Sequence, residues 1–395
     1  MGFFPSRIEG LQMTCCKSWI VIALFASTPM VSPVLANDDT FQSQARTAYA
    51  QVIKEYKIPG LVVGVTRNGQ HSFYATGLAS RADNRPVTPD TLFELGSISK
   101  VFNVTLAALA EQRGQLSLGD KAAHFLCADA CSIGNDMTLM DLATHHSGGL
   151  PLQVPDHVTD IKQLVNWLKA WKPPQPGSRS YSNISIGLLG HITADAMGMS
   201  YTQAVHTDLL PQLGLNNTWI DVPAQEMSQY AFGYDRKTDK PIRVTPGVLD
   251  AEAYGVKSSA RDMLKLLDVE LGITKVSAPL EAAVRRTQEG QFSTAKFTQD
   301  MIWEQYAWPA DIETMKSANS YDFILYPQKA VKIKPALPPQ KDVILNKTGS
   351  TNGFGGYVAV LPGENLGIVV LANRNYPNEA RITATYSLIE ALLSK

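Results

Sequence analysis

Gly96 to Lys100 read GSISK, a serine three positions before a lysine, and VFNVTLAALAEQRG follows directly. Ile98, Val101, Phe102, Leu106 and Leu109 fall at i, i+3, i+4 spacing, which predicts a helix, and Gly114 supplies its stop. Ser97 then stands at the helix N-cap or in its first turn, with Lys100 on the same face. A serine hydroxyl is a weak nucleophile that needs an adjacent base. A lysine serves when burial or neighbouring charge lowers its pKa. The helix N-terminus adds N–H groups and positive potential where an oxyanion forms. The plainer alternative is a serine cap followed by a surface lysine. Accidental S-x-x-K patterns occur roughly once or twice in a chain of this length, and a second one, STAK, runs from Ser293 to Lys296. No apolar stripe of comparable length follows Ser293, so STAK is read as the chance match.

Outward from this helix the chain is β at both ends. LVVGVTR (Leu61 to Arg67), a turn at Asn68-Gly69 and HSFYATG predict a hairpin. Val343 to Ser350, Phe354 to Leu361 and Leu366 to Ala372 predict a meander with turns at Asn352-Gly353 and Pro362-Gly363. A closing amphipathic helix carries Ile382, Leu388, Ile389, Leu392 and Leu393. From about Leu116 to Asp250 the pattern is short helices and Gly-, Pro- and Asn-rich loops. One sheet built from both termini, with a helical lobe inserted, follows from that order.

Two further triplets bear chemistry. YSN, Tyr181 to Asn183, precedes the apolar run Ile184, Ile186, Leu188, Leu189, which places Tyr181 and Asn183 on the loop leading into a helix. A phenol near lysines acts as a general acid or base, and an asparagine amide can hold both a lysine and a substrate amide. The other reading is a packing tyrosine beside an asparagine cap, since YPN, SAN and STN recur in the chain. KTG, Lys347 to Gly349, occurs once, on a predicted strand. There Lys347 attracts a carboxylate, and Gly349 lets a substrate approach the strand closely. An exposed lysine before a turn is the alternative.

The first 36 residues read as a secretory signal peptide. Arg7 and Lys17 precede the short apolar run Trp19 to Ala26, and the small-residue site Val34-Leu35-Ala36 leads into polar Asn37-Asp38-Asp39. A buried N-terminal helix is the other reading. Removal of Arg7, Lys17 and Glu9 with that segment takes the formal net charge from −1 to −2. Such a charge speaks against a nucleic-acid or anionic-membrane partner. Of the four cysteines, Cys127 and Cys131 in CADAC remain. An oxidising compartment permits a disulfide between them, and two thiols are the alternative. No metal is indicated, for there is no H-E-x-x-H or histidine-rich run, and His145-His146 in HHSGGLP are read as part of a packed loop. No cofactor is indicated either.

Together, S-x-x-K, Y-x-N and K-T-G resemble the serine β-lactamase and penicillin-binding-protein superfamily. Within it the chain is most similar to the class C β-lactamases, or cephalosporinases. FELGSISKVF, GLPLQVPD, YSNISIGLLG, PGVLDAEAYGVKSS, NKTGSTNGFGGYVA and LANRNYPNEAR look like that class's blocks in its order, through nearly the whole mature chain. Neither S-D-N nor E-x-x-L-N appears, so the class A arrangement is not expected.

The resemblance implies a serine β-lactamase-like α/β (α+β) fold: an antiparallel sheet flanked by helices, with a mainly helical lobe inserted. Its α/β lobe would take residues 37–115 and 255–395, and its helical lobe 116–254. It implies hydrolysis of cephalosporins and related β-lactams through an acyl-enzyme, by a monomer in the periplasm of a Gram-negative bacterium. Ser97 would be the acylated nucleophile, Lys100 and Tyr181 would share proton transfers, and Asn183 would orient the substrate amide. Lys347 and Thr348 would lie beside the substrate carboxylate, with Gly349 next to them. The N–H groups of Ser97 and Ser350 would form the oxyanion hole. Gln153, Tyr254, Asn375, Asn378 and Arg381 match positions that line or support that site. Asn346 stands where some members carry histidine, and the cysteine pair is outside the class's pattern. The sequence leaves open whether Tyr181 or Lys100 is the base for deacylation. A D,D-peptidase or esterase of the same superfamily and, less favoured, a penicillin-binding sensor module are the alternatives. A sensor usually needs a membrane span, and no apolar stretch after the signal peptide approaches the ~20 residues required.

Overall fold

The computed structural model describes residues 33–128 and 137–394, with side chains from residue 39 onward. The expected signal peptide lies almost wholly outside the described residues. The first described helix, α1 (Pro33–Glu55), runs through its expected boundary at Ala36. Sequence reading does not anticipate α1, although Phe41, Ala45, Tyr49 and Val52 form a buried stripe along it.

The predicted hairpin is β1 (Gly60–Arg67) and β2 (Gln70–Ser80). Asn68 and Gly69 both take positive φ, 52° and 79°, the twist that a two-residue hairpin turn requires. After β3 (Arg85–Pro86) and the helix that follows GSIS, α2 (Lys100–Gln112), come the inserted elements. These include α3 (Asn183–Ala196) and the one-turn helix α4 (Asp250–Ala253). Then follow α5 (Ala260–Glu270) and α6 (Ala278–Thr287).

Four strands without a clear sequence signal come next: β4 (Gly290–Ser293), β5 (Thr298–Gln299), β6 (Glu304–Ala307) and β7 (Val331–Leu337). Between β6 and β7 stand the short helices α7 (Ile312–Ala318) and α8 (Tyr321–Leu325). The predicted meander is β8 (Val343–Ser350), β9 (Gly355–Leu361) and β10 (Leu366–Ala372), and α9 (Asn378–Leu393) closes the chain.

All these strands form one antiparallel sheet in the order β7-β4-β5-β6-β8-β9-β10-β1-β2-β3. The central strands are buried on both faces, which is why they read as near-continuous apolar runs. Along β1, Leu61, Val63 and Val65 pack with Phe41, Tyr49, Ile368, Ile382 and Leu388, under α1 and α9. Val62 faces the other way, with Leu264, Leu267, Val369 and Leu371, against α5 and the helical region. That second core runs without a break from the sheet through α2 into α3. At the outer edge, β7 carries Lys332, Lys334 and Pro335 on a mostly exposed strand, residues that discourage further strand pairing.

Candidate active site

Ser97 lies not at a side-chain-capped N-terminus but in a 3-10 turn, Gly96–Ser99, that runs straight into α2. Its hydroxyl makes no capping bond. It instead accepts a hydrogen bond of 2.9 Å from the Lys100 ammonium. Two glycines bring this turn against the end of β8. A Cβ on Gly349 would sit 2.1 Å from the Leu95 carbonyl oxygen, and one on Gly96, at φ +53°, would sit 2.5 Å from the Ser350 nitrogen. What presses on Gly349 is therefore the protein's own backbone. The close approach that it permits sets the N–H of Ser350 beside the turn that carries Ser97.

α2 is not an amphipathic surface helix. Every residue from Lys100 to Ala110 is buried, so Lys100 is held away from water between α2, α4 and the sheet. It donates a second bond of 2.8 Å to the Ala253 carbonyl at the end of α4. Burial, opposed in part by the Tyr181 phenol and aided by the charge of Lys347, brings Lys100 down to about 8. The surface-lysine alternative is thereby removed.

Tyr181 precedes α3, whose N-cap is Ser182, with its side chain accepting from Ser185 N at 3.1 Å. Asn183 is the first helical residue and not a cap. The Tyr181 ring lies between two ammonium groups, 5.3 Å from Lys100 and 5.1 Å from Lys347. Burial pushes the phenol up, but the two lysine charges, with hydrogen bonds to Ser97 and Lys347, outweigh it and bring Tyr181 to about 7. A phenol and an amine with pKa values so close exchange a proton readily at neutral pH.

Lys347 is buried on β8 and donates to the Thr348 carbonyl at 2.8 Å. Beside it sequence reading missed a polar cluster. Glu304 on β6 accepts from Asn319 at 3.1 Å and pairs with Arg179 at 3.5 Å. Burial raises the Glu304 carboxyl, while Arg179 and Lys347 pull it back. The only signal for Glu304 was an acidic residue in a short strand with no other charge. Asn319, which follows α7, and Arg179, which precedes α3, carried none.

Ser97, Gln153, Tyr181, Asn183, Lys347, Thr348, Gly349, Ser350 and Asn378 line one cavity of about 160 Å³, together with Glu304 and an apolar wall of exposed Tyr321 and Leu325 and half-buried Ile324 of α8. Asn183 donates to the Gln153 side chain at 3.1 Å instead of holding a lysine. Its carbonyl oxygen is buried without a protein partner. Asn378 donates to the Asn319 carbonyl at 3.1 Å.

Three expected substrate contacts stand outside the cavity lining. Tyr254 ends α4. Arg381 is fully buried, and its guanidinium donates to Gly349 O at 2.7 Å, Gly356 O at 3.1 Å and Asn375 Oδ1 at 2.8 Å. Arg381 thus braces the end of β8, with Asn375 accepting from it.

STAK spans a turn between β4 and β5, where Thr294 and Phe297 bond each other and Lys296 lies over the Phe323 ring. Ser293 is exposed and has no bond to Lys296. Cys127 is disulfide-bonded, and its expected partner Cys131 lies outside the described residues. A larger cavity, about 460 Å³, lies at the far end of the sheet between α5, α6 and residues 339–341 and 362–365. It has no nucleophile with a base, so chemistry and not volume locates the active site. Among the described residues no cluster of three or more His, Cys, Asp or Glu could hold a metal ion.

A serine bonded to a desolvated lysine, with a tyrosine shared between two ammoniums, defines a serine acyl-transfer enzyme. A β-lactamase family profile matches residues 45–393. A β-lactamase of Psychrobacter immobilis is 38% identical over 402 aligned residues that cover 100% of each chain. The structure of a class C β-lactamase from Rhodobacter sphaeroides superposes with a TM-score of 0.87 at 64% identity, covering 89% of this chain and 100% of that one. One described as a β-lactamase/D-alanine carboxypeptidase, from Pseudomonas syringae, gives 0.86 at 43%, covering 89% and 98%. This chain belongs to the β-lactamase family: it is a serine β-lactamase of class C, and opening the β-lactam ring is its reaction.

Proposed function

We propose that Ser97 opens the lactam ring and carries the acyl group, with Lys100 and Tyr181 as the proton-transfer pair. The observation that carries this reading is the 2.9 Å bond from Lys100 to Ser97, beside a phenol brought to about 7. Ser97 Oγ attacks the lactam carbonyl and passes its proton to the Tyr181–Lys100 pair. The C–N bond breaks, and the proton moves to the ring nitrogen. Water then attacks the ester, activated by the same pair, and the ring-opened acid leaves. The N–H groups of Ser97 and Ser350 would hold the oxyanion. Gln153 and Asn183 would orient the side-chain amide. Lys347, Thr348 and Asn378 would hold the carboxylate.

The site would form where the two lobes meet. Ser97, Lys347 and Ser350 come from residues 37–115 and 255–395, and Gln153, Tyr181 and Asn183 from 116–254. The enzyme would work as a monomer in the periplasm of a Gram-negative bacterium, exported through residues 1–36. Supporting this, no described helix is long and apolar enough to cross a membrane.

The test is hydrolysis of a β-lactam panel by the mature protein, with peptide mapping of enzyme trapped on a slow substrate. The added mass is expected on the peptide containing Ser97. Ser97→Ala is expected to lose at least ~10³-fold in turnover, and near-normal hydrolysis by that variant would defeat the assignment. A stoichiometric, long-lived adduct with cephalosporins would instead favour D,D-peptidase chemistry.

A further inference from the structure

His145 stands two residues past a short helix, Leu139–Ala143, whose N-terminus is fixed by a capping box between Thr138 and Asp141. Its backbone is left-handed, at φ +59°, a conformation in which histidine, asparagine and aspartate are over-represented among side-chain-bearing residues. This turn aims the imidazole inward, where it is fully buried and its centroid lies 4.4 Å from that of the Tyr181 ring.

Two further contacts bracket the same tyrosine. The His145 carbonyl accepts from Ser180 N at 2.7 Å, and its Nδ1 accepts from Ser182 N at 3.3 Å. One residue therefore grips the peptide on both sides of Tyr181 and packs against its ring. An Nδ1 that accepts from a backbone N–H carries no proton, so the proton of the neutral ring is on Nε2. That nitrogen is buried without a protein hydrogen-bond partner, an arrangement unfavourable for stability. A surface-exposed or purely space-filling histidine would avoid it.

We propose that His145 is a positioning residue for Tyr181: the neutral imidazole and the His145 carbonyl fix the phenol among Ser97, Lys100 and Lys347 during acyl transfer. The inference rests on the assignment of Tyr181 to proton transfer. Charges facing the ring agree with neutrality. Burial, then Arg179 before α3, Lys100 on α2 and Lys347 on β8, all hold His145 well below its ordinary value. Neighbouring His146 turns elsewhere, to Asp141 at 3.2 Å and the Gly177 carbonyl at 3.0 Å. A second proton on His145 would break the bond from Ser182 and add another cation to a ring already between two.

Two measurements test this. ¹⁵N NMR of the histidine rings in the intact enzyme is expected to show one Nε2-protonated neutral ring that does not titrate from about pH 5 to about pH 9. A His145 ring that carries its proton on Nδ1, or titrates in that range, overturns the proposal. Separately, His145→Phe keeps a ring and removes the acceptor, and His145→Asn suits the left-handed backbone and removes the ring. Each folded variant is expected to lose about tenfold or more in kcat with KM changed by less than about threefold. The acid limb of its pH–rate profile is expected to move upward, as the phenol leaves the lysine charges. An unchanged kcat and limb in both variants overturns the proposal even where Tyr181→Phe is inactive. Should Tyr181→Phe hydrolyse normally, the underlying assignment of Tyr181 falls, and the role of His145 with it.

Discussion

At the scale of single residues, the site is a balance between burial and charge. Water exclusion favours a neutral Lys100 and opposes ionisation of Tyr181. Two lysine charges reverse that balance for the phenol. A base with a depressed pKa acts once deprotonated, so the rate is expected to rise as pH passes through about 7. Removing one cation weakens the pull on the phenolate. In Lys347→Met the acid limb is therefore expected to move to higher pH, beyond any change in KM. A limb that stays in place would show that Lys347 does not tune Tyr181. The other serine of the S-x-x-K pair makes the matching control. Ser293→Ala is expected to keep near-normal turnover, because Ser293 is exposed on a strand and its lysine lies over Phe323. The pairing of Ser97 with Lys100 was legible because i, i+3 spacing on a helix dictates contact. The linkage of Glu304 to Arg179 and Asn319 was not, since those residues lie on separate elements that only the folded sheet brings together.

At the scale of elements, Arg381 separates bracing from binding. It satisfies the carbonyls of Gly349, Gly356 and Tyr376 from the first turns of α9, holding β8, β9 and the preceding loop in register. Arg381→Ala leaves three buried carbonyls without this donor and is expected to destabilise by about 1–3 kcal/mol for each one left unsatisfied. KM of the enzyme that still folds is expected to change by less than about threefold. A large rise in KM with stability intact would return Arg381 to the substrate-binding set.

Glu270 at the end of α5 provides an independent check on the fold's electrostatics. It is buried, it accepts from Gln288 at 2.6 Å, and desolvation raises its carboxyl from 4.5 to about 7. A raised carboxyl pKa favours the protonated form in the folded state. The stability this contributes is complete below about 4.5 and is lost as pH rises through about 7. Glu270→Gln, which stays neutral, is therefore expected to stabilise the fold at pH 8 by on the order of 3 kcal/mol, read as a higher Tm, and to leave Tm nearly unchanged at pH 4. An equal effect at both pH values would refute the titration. The strands of β1 and of the closing meander were legible because burial on both faces forces apolar runs. Strands β4 to β7 were not, because they are short or lie at an exposed edge and so lack that constraint.

At the scale of the whole molecule, the sheet joins both ends of the chain. β1 lies beside β10, and α1 packs on α9, with Tyr49 bonded to Thr385 at 2.8 Å across the buried interface. Removal of residues 1–36 is expected to leave Tm unchanged, since the buried stripe of α1 begins at Phe41. Removal through Glu55 uncovers Val63, Val65, Ile368 and Ile382 and is expected to give insoluble protein. A soluble, active product would show that α1 is dispensable. By itself the sequence determined the hairpin, the helix that follows Ser97, the closing meander and the order of S-x-x-K, Y-x-N and K-T-G, because each depends on local periodicity and turn chemistry. Only the tertiary structure decided which serine–lysine pair is desolvated, that Arg381 braces the end of β8, and that His145 lies against Tyr181. Burial and cross-element contact belong to no segment of the chain, and they exist only once the layers have closed.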